Sequence, residues 1–465
     1  MRIYDLYLKN YRCFAELNVD FHPQMTVLVA PNGIGKTTIL NAVKVALWPY
    51  VAGFDLGSTT NDITGIHVDD VRREPIENSM EPRLKTEISA NGTIFVSAIL
   101  NSVKGVEQEW SVSRFRESVR NGTKTKEAKP DEAENIKMWG QELQNRVFSG
   151  DQSRPDSLPL LGYYGTGRLW NLKNLTALHK KAEKNSSRTY AYRDCLDTAS
   201  SFKHFAVWFS TVYMTYLKTK LSSFEKNLPF DNVKHAALVE AVQVAVDVVL
   251  KSQTGWHTLT YSFAHHELVL NHDRHGELKV SQLSDGIRNM LALSGDIAYR
   301  CCKLNAHLGR DAVRKTNGIV MIDEVDMHLH PSWQQTMLAD LMAAFPKLQF
   351  IVTTHSPQVL STVHSDSIRV IGEDAMGNLI AQPPLGDGYG LPSGDVMHSV
   401  MGVDPQPPVD EKFDLQKLTE LVDQGQFDVP EANKLKRSLT KKLGATHPQL
   451  LRLQRSVERQ KALAS

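Results

Sequence analysis

Residues 30–38 read APNGIGKTT, which places two glycines, a lysine and two threonines at the spacing that wraps backbone N–H groups around a phosphate. Gly33 and Gly35 let the chain turn sharply, and Asn32 lies between the turn and the strand before it. Lys36 carries charge toward the β- and γ-phosphates of a nucleotide, the Thr37 hydroxyl is a hard oxygen donor for Mg2+, and Thr38 completes the run. The helix that follows adds the partial positive charge of its N-terminus. The first position of such a loop is usually glycine. Here it is Ala30, small enough to keep the turn.

Two further groups lie far along the chain. GIVMIDE (318–324) is an apolar run closed by two carboxylates. Asp323 suits the Mg2+ shell, and Glu324 points to where it would orient and deprotonate a water at the γ-phosphate. TTHSP (353–357) ends the next apolar run and sets His355 beside the γ-phosphate as a sensor. HLHP (328–331) brings His328 and His330 two residues apart, but a metal needs more ligands than these, so the pair reads as structural or dimer-facing. HHE (265–267) and HDRH (272–275) read as polar turns.

QLSDGIRNMLALS (282–294) has no nucleophile–base pair, yet Ser284 and Gly286 stand where a helix must begin. A helix start of this kind binds anions. One chain already supplies one complete phosphate cradle. The economical reading is that this second start closes over the nucleotide of another copy, so that two ATPs lie sandwiched in a head-to-tail dimer.

These groups need strands that end together. MTVLVA (25–30), 158–170, 317–325 and 348–356 read as buried strands, and TTILNAVKVALW (37–48) as the helix after the cradle. Residues 2–9 alternate as a strand, 51–75 read as loop, and 83–117 read as a hairpin turning at Asn91-Gly92. Residues 201–221 and 233–252 have helical apolar spacing, 257–280 read as another hairpin, and 385–410 as a Gly/Pro-rich linker. The expected division is 1–170, the first part of the head; 171–256, a basic loop and helical insertion; 257–384, the second part; and 385–465, linker and tail.

The composition is that of an ordinary globular chain: 465 residues, 41% hydrophobic, 23% charged, net charge +1. That balance supplies no global pull toward nucleic acid or membrane. Four cysteines with no C-x-x-C pair suit a reducing cytoplasm, and neither a signal peptide nor a membrane span is expected. Arg168, Lys173, Lys180, Lys181, Lys184, Arg188 and Arg193, interleaved with Trp170, Tyr190 and Tyr192, would suit DNA; a solvated loop is the equal alternative. The apolar stripes of 412–464, among them Leu415, Leu418, Leu421 and Val422, are expected to pack on the head or on another chain.

In this order, APNGIGKTT, LSDGIR, MIDEVDMHLHP and TTHSP resemble the ABC-type ATPase head shared by the SMC, RecF and OLD groups. The resemblance implies an α/β fold: a P-loop head with a mixed β-sheet core and an antiparallel β subdomain, plus a helical insertion and a C-terminal helical tail. It also implies ATP and Mg2+ as cofactors. LKNYRCF (8–14) is similar to the opening strand of those heads, which implies that Arg12 lies near the nucleotide. Asp326 is implied to belong to a loop crossing the dimer interface. The sequence departs from the pattern at Ala30 and at Asp285, where transporters have glycine, and Asp69 and Asp70 are the candidates for the Q-loop position. OLD-like chains carry a nuclease domain after the histidine strand. Here Glu373 and Asp374 have no D-x-D cluster after them, so no nuclease site is expected.

PLLGYYGTGRLW (159–170), YRDCLD (192–197) and DVMHSVMGVDP (395–405) resemble the stand-alone ATPases of defence operons, particularly the Septu family, PtuA, some of whose members accompany retrons. That resemblance implies an anti-phage role beside a separate HNH nuclease, PtuB, and assembly into a homodimer and larger homo-oligomers. A RecF-like repair ATPase and the ATPase of another defence system, PARIS, are the alternatives.

Overall fold

The computed structural model describes residues 1–56, 65–76, 79–82, 85–96, 106–118, 125–127, 133–149, 155–167, 187–197, 201–227 and 233–464. Contacts separate Met1–Met401 from Gly402–Ser465.

In the first unit a six-stranded sheet runs in the order Leu379–Gln382, Ile368–Glu373, Met25–Val29, Leu348–Thr353, Gly318–Ile322, Leu160–Tyr164. All neighbours are parallel except the first pair. A parallel sheet covered on both faces needs unbroken apolar strands. MTVLV, GIVMI, LQFIVT and LLGYY are buried at every residue. Because these strands are parallel, their carboxyl ends share one edge. The loops after Val29, Ile322, Thr353 and Tyr164 all leave from it.

An antiparallel sheet, ordered Phe14–Asp20, Arg2–Tyr11, Lys85–Val96, Val106–Ser118, Thr125–Glu127, forms the β subdomain. The pairing of Arg2–Tyr11 with Lys85–Val96 shifts register between Ile3 and Asp5, which lets Ile3, Leu6 and Leu8 all be buried. Asn91-Gly92 is not the hairpin turn that the dipeptide suggests. Gly92 sits mid-strand between Ile3 and Trp110. A Cβ there would come 2.0 Å from the Arg2 carbonyl oxygen and 2.5 Å from the Trp110 ring, so close packing requires this glycine. Of the stretch 51–75 read as loop, the described residues hold a tight turn over Val68–Asp70 and a strand Arg73–Ile76 paired with Ser79–Pro82, while 57–64 lie outside the described residues.

Helices Ser201–Glu225, Val233–Thr254 and Asp285–Leu304 bury Phe205, Phe209, Val242, Val246, Leu291 and Ile297 in the one large core of this unit. The Phe205 ring lies where a Cβ on Gly295 would stand, 2.5 Å away, so the long helices cross closely. The strands Trp256–Ser262, Glu267–His272 and Gly276–Lys279 form a separate antiparallel meander. Within the stretch read as linker, Ser393–Ser399 is a helix whose Val396 joins the same core, as does Val400 just beyond it.

The second unit holds helices Lys412–Asp423, Pro430–Leu443 and Pro448–Ala464. Their stripes do not await a foreign surface. Leu415, Leu418, Val422, Ala432, Leu439 and Leu450 form a core of their own, flanked by Leu421, Leu435, Leu453 and Val457. Three amphipathic helices can cover one another's apolar faces, which two stripes considered singly cannot do. The fold is therefore α/β, a mixed sheet with an antiparallel β subdomain and inserted helices, followed by a C-terminal helical unit.

Candidate functional site

The phosphate loop follows the strand Met25–Val29 and opens the helix Lys36–Ala52. Gly33 and Gly35 adopt φ of 84° and 113°, the left-handed region that favours glycine. Gly35 is doubly required, since a Cβ there would come 2.5 Å from the Phe14 ring and 2.8 Å from Cys13 Sγ. Lys36 Nζ donates to the Ala30 carbonyl at 2.9 Å, lying across its own loop. Burial pulls its pKa below the usual lysine value, and the nearby Asp323 and Glu324 oppose that shift. Asn32 is exposed on the loop, and Thr38 is buried.

The acid pair stands at the end of Gly318–Ile322. Thr37 Oγ1 donates to Asp323 Oδ2 at 2.9 Å, joining the cradle to the neighbouring strand tip. A hydroxyl and a carboxylate oxygen at this separation are the hard donors that Mg2+ takes, so the residues fit that ion. Glu324 is exposed and has φ of 47°, a strained conformation for a non-glycine residue.

Thr353 and Thr354, which the motif reading passed over, hold this edge together. Thr353 Oγ1 donates to Asp323 Oδ1 at 2.6 Å and accepts from the Glu324 N–H at 2.8 Å. Its carbonyl accepts from the Val325 N–H at 3.0 Å. Thr354 Oγ1 donates to Asp326 Oδ1 at 2.5 Å, so that carboxylate is engaged within its own chain. Ser356 Oγ donates to Gln334 Oε1 at 2.7 Å. His355 lies half-buried at the centre of this stitched segment. The sequence signal was only that TT precedes HS at a strand end facing the acid pair.

Arg12, with φ of 49°, is tied by its Nε to Asp70 Oδ1 at 2.7 Å, and its backbone N–H bonds the Asp70 carbonyl at the same distance. Asp70 Oδ2 accepts from the His67 N–H at 2.9 Å, which fixes the buried carboxylate. Asp70 thus orients Arg12, while Asp69 is exposed.

Ser284 occupies the N-cap position of Asp285–Leu304, is exposed, and makes no side-chain cap bond. Gly286 is buried for a reason the anion argument did not anticipate. The His328 carbonyl oxygen lies 2.6 Å from where its Cβ would be. Asn289 Nδ2 donates to the Met327 carbonyl at 3.0 Å, so this helix start is packed against the segment after the acid pair. Among the described residues, no hydrogen bond joins Ser284 to the phosphate loop or to the acid pair. His330 caps the helix Pro331–Gln334, its ring nitrogen accepting from the Ser332 N–H at 3.3 Å. Among the described residues, no group of three or more histidine, cysteine or acidic side chains could hold a metal.

Most of the expected DNA track, 168–186, lies outside the described residues. Two residues near its end are held within the fold. Tyr192 is buried with its hydroxyl on the Pro159 carbonyl at 2.6 Å, and Arg188 Nε donates to the Leu304 carbonyl at 2.6 Å. Among the described residues, no helix is long and apolar enough to cross a membrane.

A glycine-turned phosphate loop whose threonine meets a carboxylate at the adjacent strand tip defines a P-loop ATPase. Residues 5–211 match the family described as "AAA domain", and residues 217–361 the family described as "AAA domain, putative AbiEii toxin, Type IV TA system". The "Retron Vc95 probable ATPase" of Vibrio cholerae serotype O1 biovar El Tor is 25% identical over 94% of this chain and 87% of that one. The "Retron Ec83 probable ATPase" of Escherichia coli is 26% identical over 99% and 87%. The "Septu protein PtuA" of Bacillus mycoides (strain KBAB4) is 34% identical, over 29% of this chain and 19% of that protein. A solved SMC head bound to the C-winged helix domain of ScpA covers 82% of this chain and 98% of its own, with 14% identity and a TM-score of 0.44. The chain is a P-loop ATPase related to the retron and Septu ATPases. The likeness to the retron proteins runs the length of the chain, whereas that to PtuA is confined to part of it.

Proposed function

We propose that the chain is the ATP-switched subunit of a cytoplasmic bacterial anti-phage complex, and that its ATP-bound dimer governs a separate nuclease of HNH type. The observation that carries the reading is the bond from Thr37 to Asp323, itself held by Thr353, which brings phosphate loop, metal-binding oxygens and acid pair to one sheet edge. In this reading the N–H groups of 32–36, with Lys36 and Thr38, hold the phosphates. Thr37 and Asp323 hold Mg2+, which when bound neutralises charge on the β- and γ-phosphates. Glu324 aligns a water and takes its proton as the new P–O bond forms and the bond to the ADP oxygen breaks. His355 senses the γ-phosphate, and Arg12, steadied by Asp70, faces the nucleotide. Ser284, Gly286 and Asp326 of a second copy complete the site, and larger homo-oligomers grow from that dimer.

The defence role draws on the retron and Septu relatives. The test is to look for an HNH protein encoded beside the chain and to express the two together. The Glu324→Gln chain with ATP should dimerise and lock the nuclease in one activity state, while Lys36→Ala should lock the other. Nuclease activity indifferent to both substitutions overturns the reading. Hydrolysis stimulated by DNA with no nuclease partner would select a RecF-like repair ATPase instead.

A further inference from the structure

The C-terminal unit carries its charge unevenly. Helices Pro430–Leu443 and Pro448–Ala464 hold nine lysines and arginines against two carboxylates. Glu431 pairs with Lys417, and Glu458 accepts from Gln454 at 3.1 Å. Lys442 and Lys461 reach Glu411 and Asp428. Six of the remaining cations fall into two stripes of one geometry: Lys434, Arg437 and Lys441 on the first helix, and Arg452, Arg455 and Arg459 on the second. All six are exposed, and among the described residues none meets a carboxylate.

The spacing i, i+3, i+7 places each trio along one side of its helix, spread over about 10 Å of rise. Ala432, Leu439 and Leu450 are turned into the unit's core with Leu435, Leu443, Leu453 and Val457, so each stripe lies on the side of its helix away from that core. Like charges at these spacings weaken a helix, and among the described residues none of the six forms an ion pair.

We propose that the two stripes bind the phosphate backbone of a nucleic-acid duplex. Evenly repeated cations, with Glu458 beside them turned to Gln454, match a polymer that carries one charge at each unit. Residues 430–464 contain no Phe, Tyr or Trp, so the surface has no platform for stacking unpaired bases, and a duplex gripped through its backbone is the form it fits. Insertion into a membrane interface would need an open apolar face, and these helices have turned theirs into the core. The exposed Leu451 and Leu463 stand twelve residues apart and make no such face.

The test uses the full-length chain and a fluorescent duplex of mixed sequence, titrated between ~50 and ~200 mM salt without nucleotide. Wild-type affinity should fall steeply with salt. The triple variant Arg452→Gln/Arg455→Gln/Arg459→Gln should lower the slope of log affinity against log salt by about 3, as should Lys434→Gln/Arg437→Gln/Lys441→Gln. At ~100 mM salt each should weaken binding on the order of 10²-fold. Replacing the three arginines by lysine should leave the slope unchanged, because backbone contact reads charge. Circular dichroism and ATP turnover should match wild type, which separates loss of the surface from loss of the fold. An unchanged slope in both glutamine variants overturns the proposal. So does a single strand that binds more tightly than the duplex, or polyglutamate that competes as well as the duplex; the latter would assign the surface to an acidic protein.

Discussion

The carboxyl edge of the central sheet and the start of the helix Asp285–Leu304 both look built for phosphate, but they are finished in opposite ways. At the sheet edge the chain satisfies itself. Thr37, Asp323, Thr353 and the Glu324 N–H form one connected set of hydrogen bonds, and Thr354 engages Asp326. At the helix start the backbone is held just as firmly, with Gly286 beneath the His328 carbonyl and Asn289 on the Met327 carbonyl, yet the serine hydroxyl caps nothing. A serine at that position ordinarily accepts from the N–H two or three residues on. In the proposed dimer, a rigid helix end with uncapped donors would supply half of an anion site and the cradle of the other copy the second half. Among the described residues no hydrogen bond joins the two, an arrangement compatible with the proposed site shared between two copies.

Substitutions at the sheet edge should produce the largest effects. Glu324→Gln should cut turnover by ~10²–10⁴-fold while leaving ATP binding intact, so that ATP-bound dimers accumulate; single-turnover kinetics and gel filtration read both. Turnover close to wild type would remove Glu324 from the reaction. Ser284→Arg probes the other half. It should abolish ATP-dependent dimerisation yet leave nucleotide affinity of the monomer's own cradle unchanged in calorimetry. Weakened monomer binding would mean that Ser284 serves its own chain.

Thr353→Val keeps the volume of the side chain but removes the hydroxyl that serves both acids. A loss of ~10–100-fold in turnover is expected, with weaker Mg2+ dependence and recovery in Thr353→Ser. An effect on melting temperature alone would make Thr353 a packing residue. Gly286→Ala should be the mildest. Its Cβ must displace the His328 carbonyl, at a cost of ~1–3 kcal/mol in stability. Thermal unfolding should show it together with weakened dimerisation, while monomer ATP affinity stays level.

The nucleotide groups were legible in the sequence because their chemistry is local. A phosphate loop needs glycine, lysine and threonine within nine residues, and a buried parallel strand announces itself as an apolar run ending in acids. What joins them was not legible. Thr353 acts across strands through a register that no spacing in the chain reports, and Asp70 reaches Arg12 from 58 residues away. Gly92 looked like a turn residue because Asn-Gly usually is one, whereas here the Trp110 ring and the Arg2 carbonyl leave no space for a side chain. The tail showed its amphipathic stripes plainly but not their partners, since three helices that cover one another have the same pattern as three that await a foreign surface.

The proposed shared site is tested most directly by crosslinking two different chains. Asn32 and Ser284 are both exposed, one on the phosphate loop and one at the helix start. Subunits carrying Asn32→Cys, mixed with subunits carrying Ser284→Cys in the Glu324→Gln background, are treated with a short bis-maleimide with and without ATP. The account predicts a covalent heterodimer that forms only with ATP, is absent when either subunit is treated alone, and disappears when Lys36→Ala is added to the Asn32→Cys chain. Failure to crosslink in the presence of ATP, or crosslinking that is the same with and without it, would contradict the claim that each copy completes the other's nucleotide site.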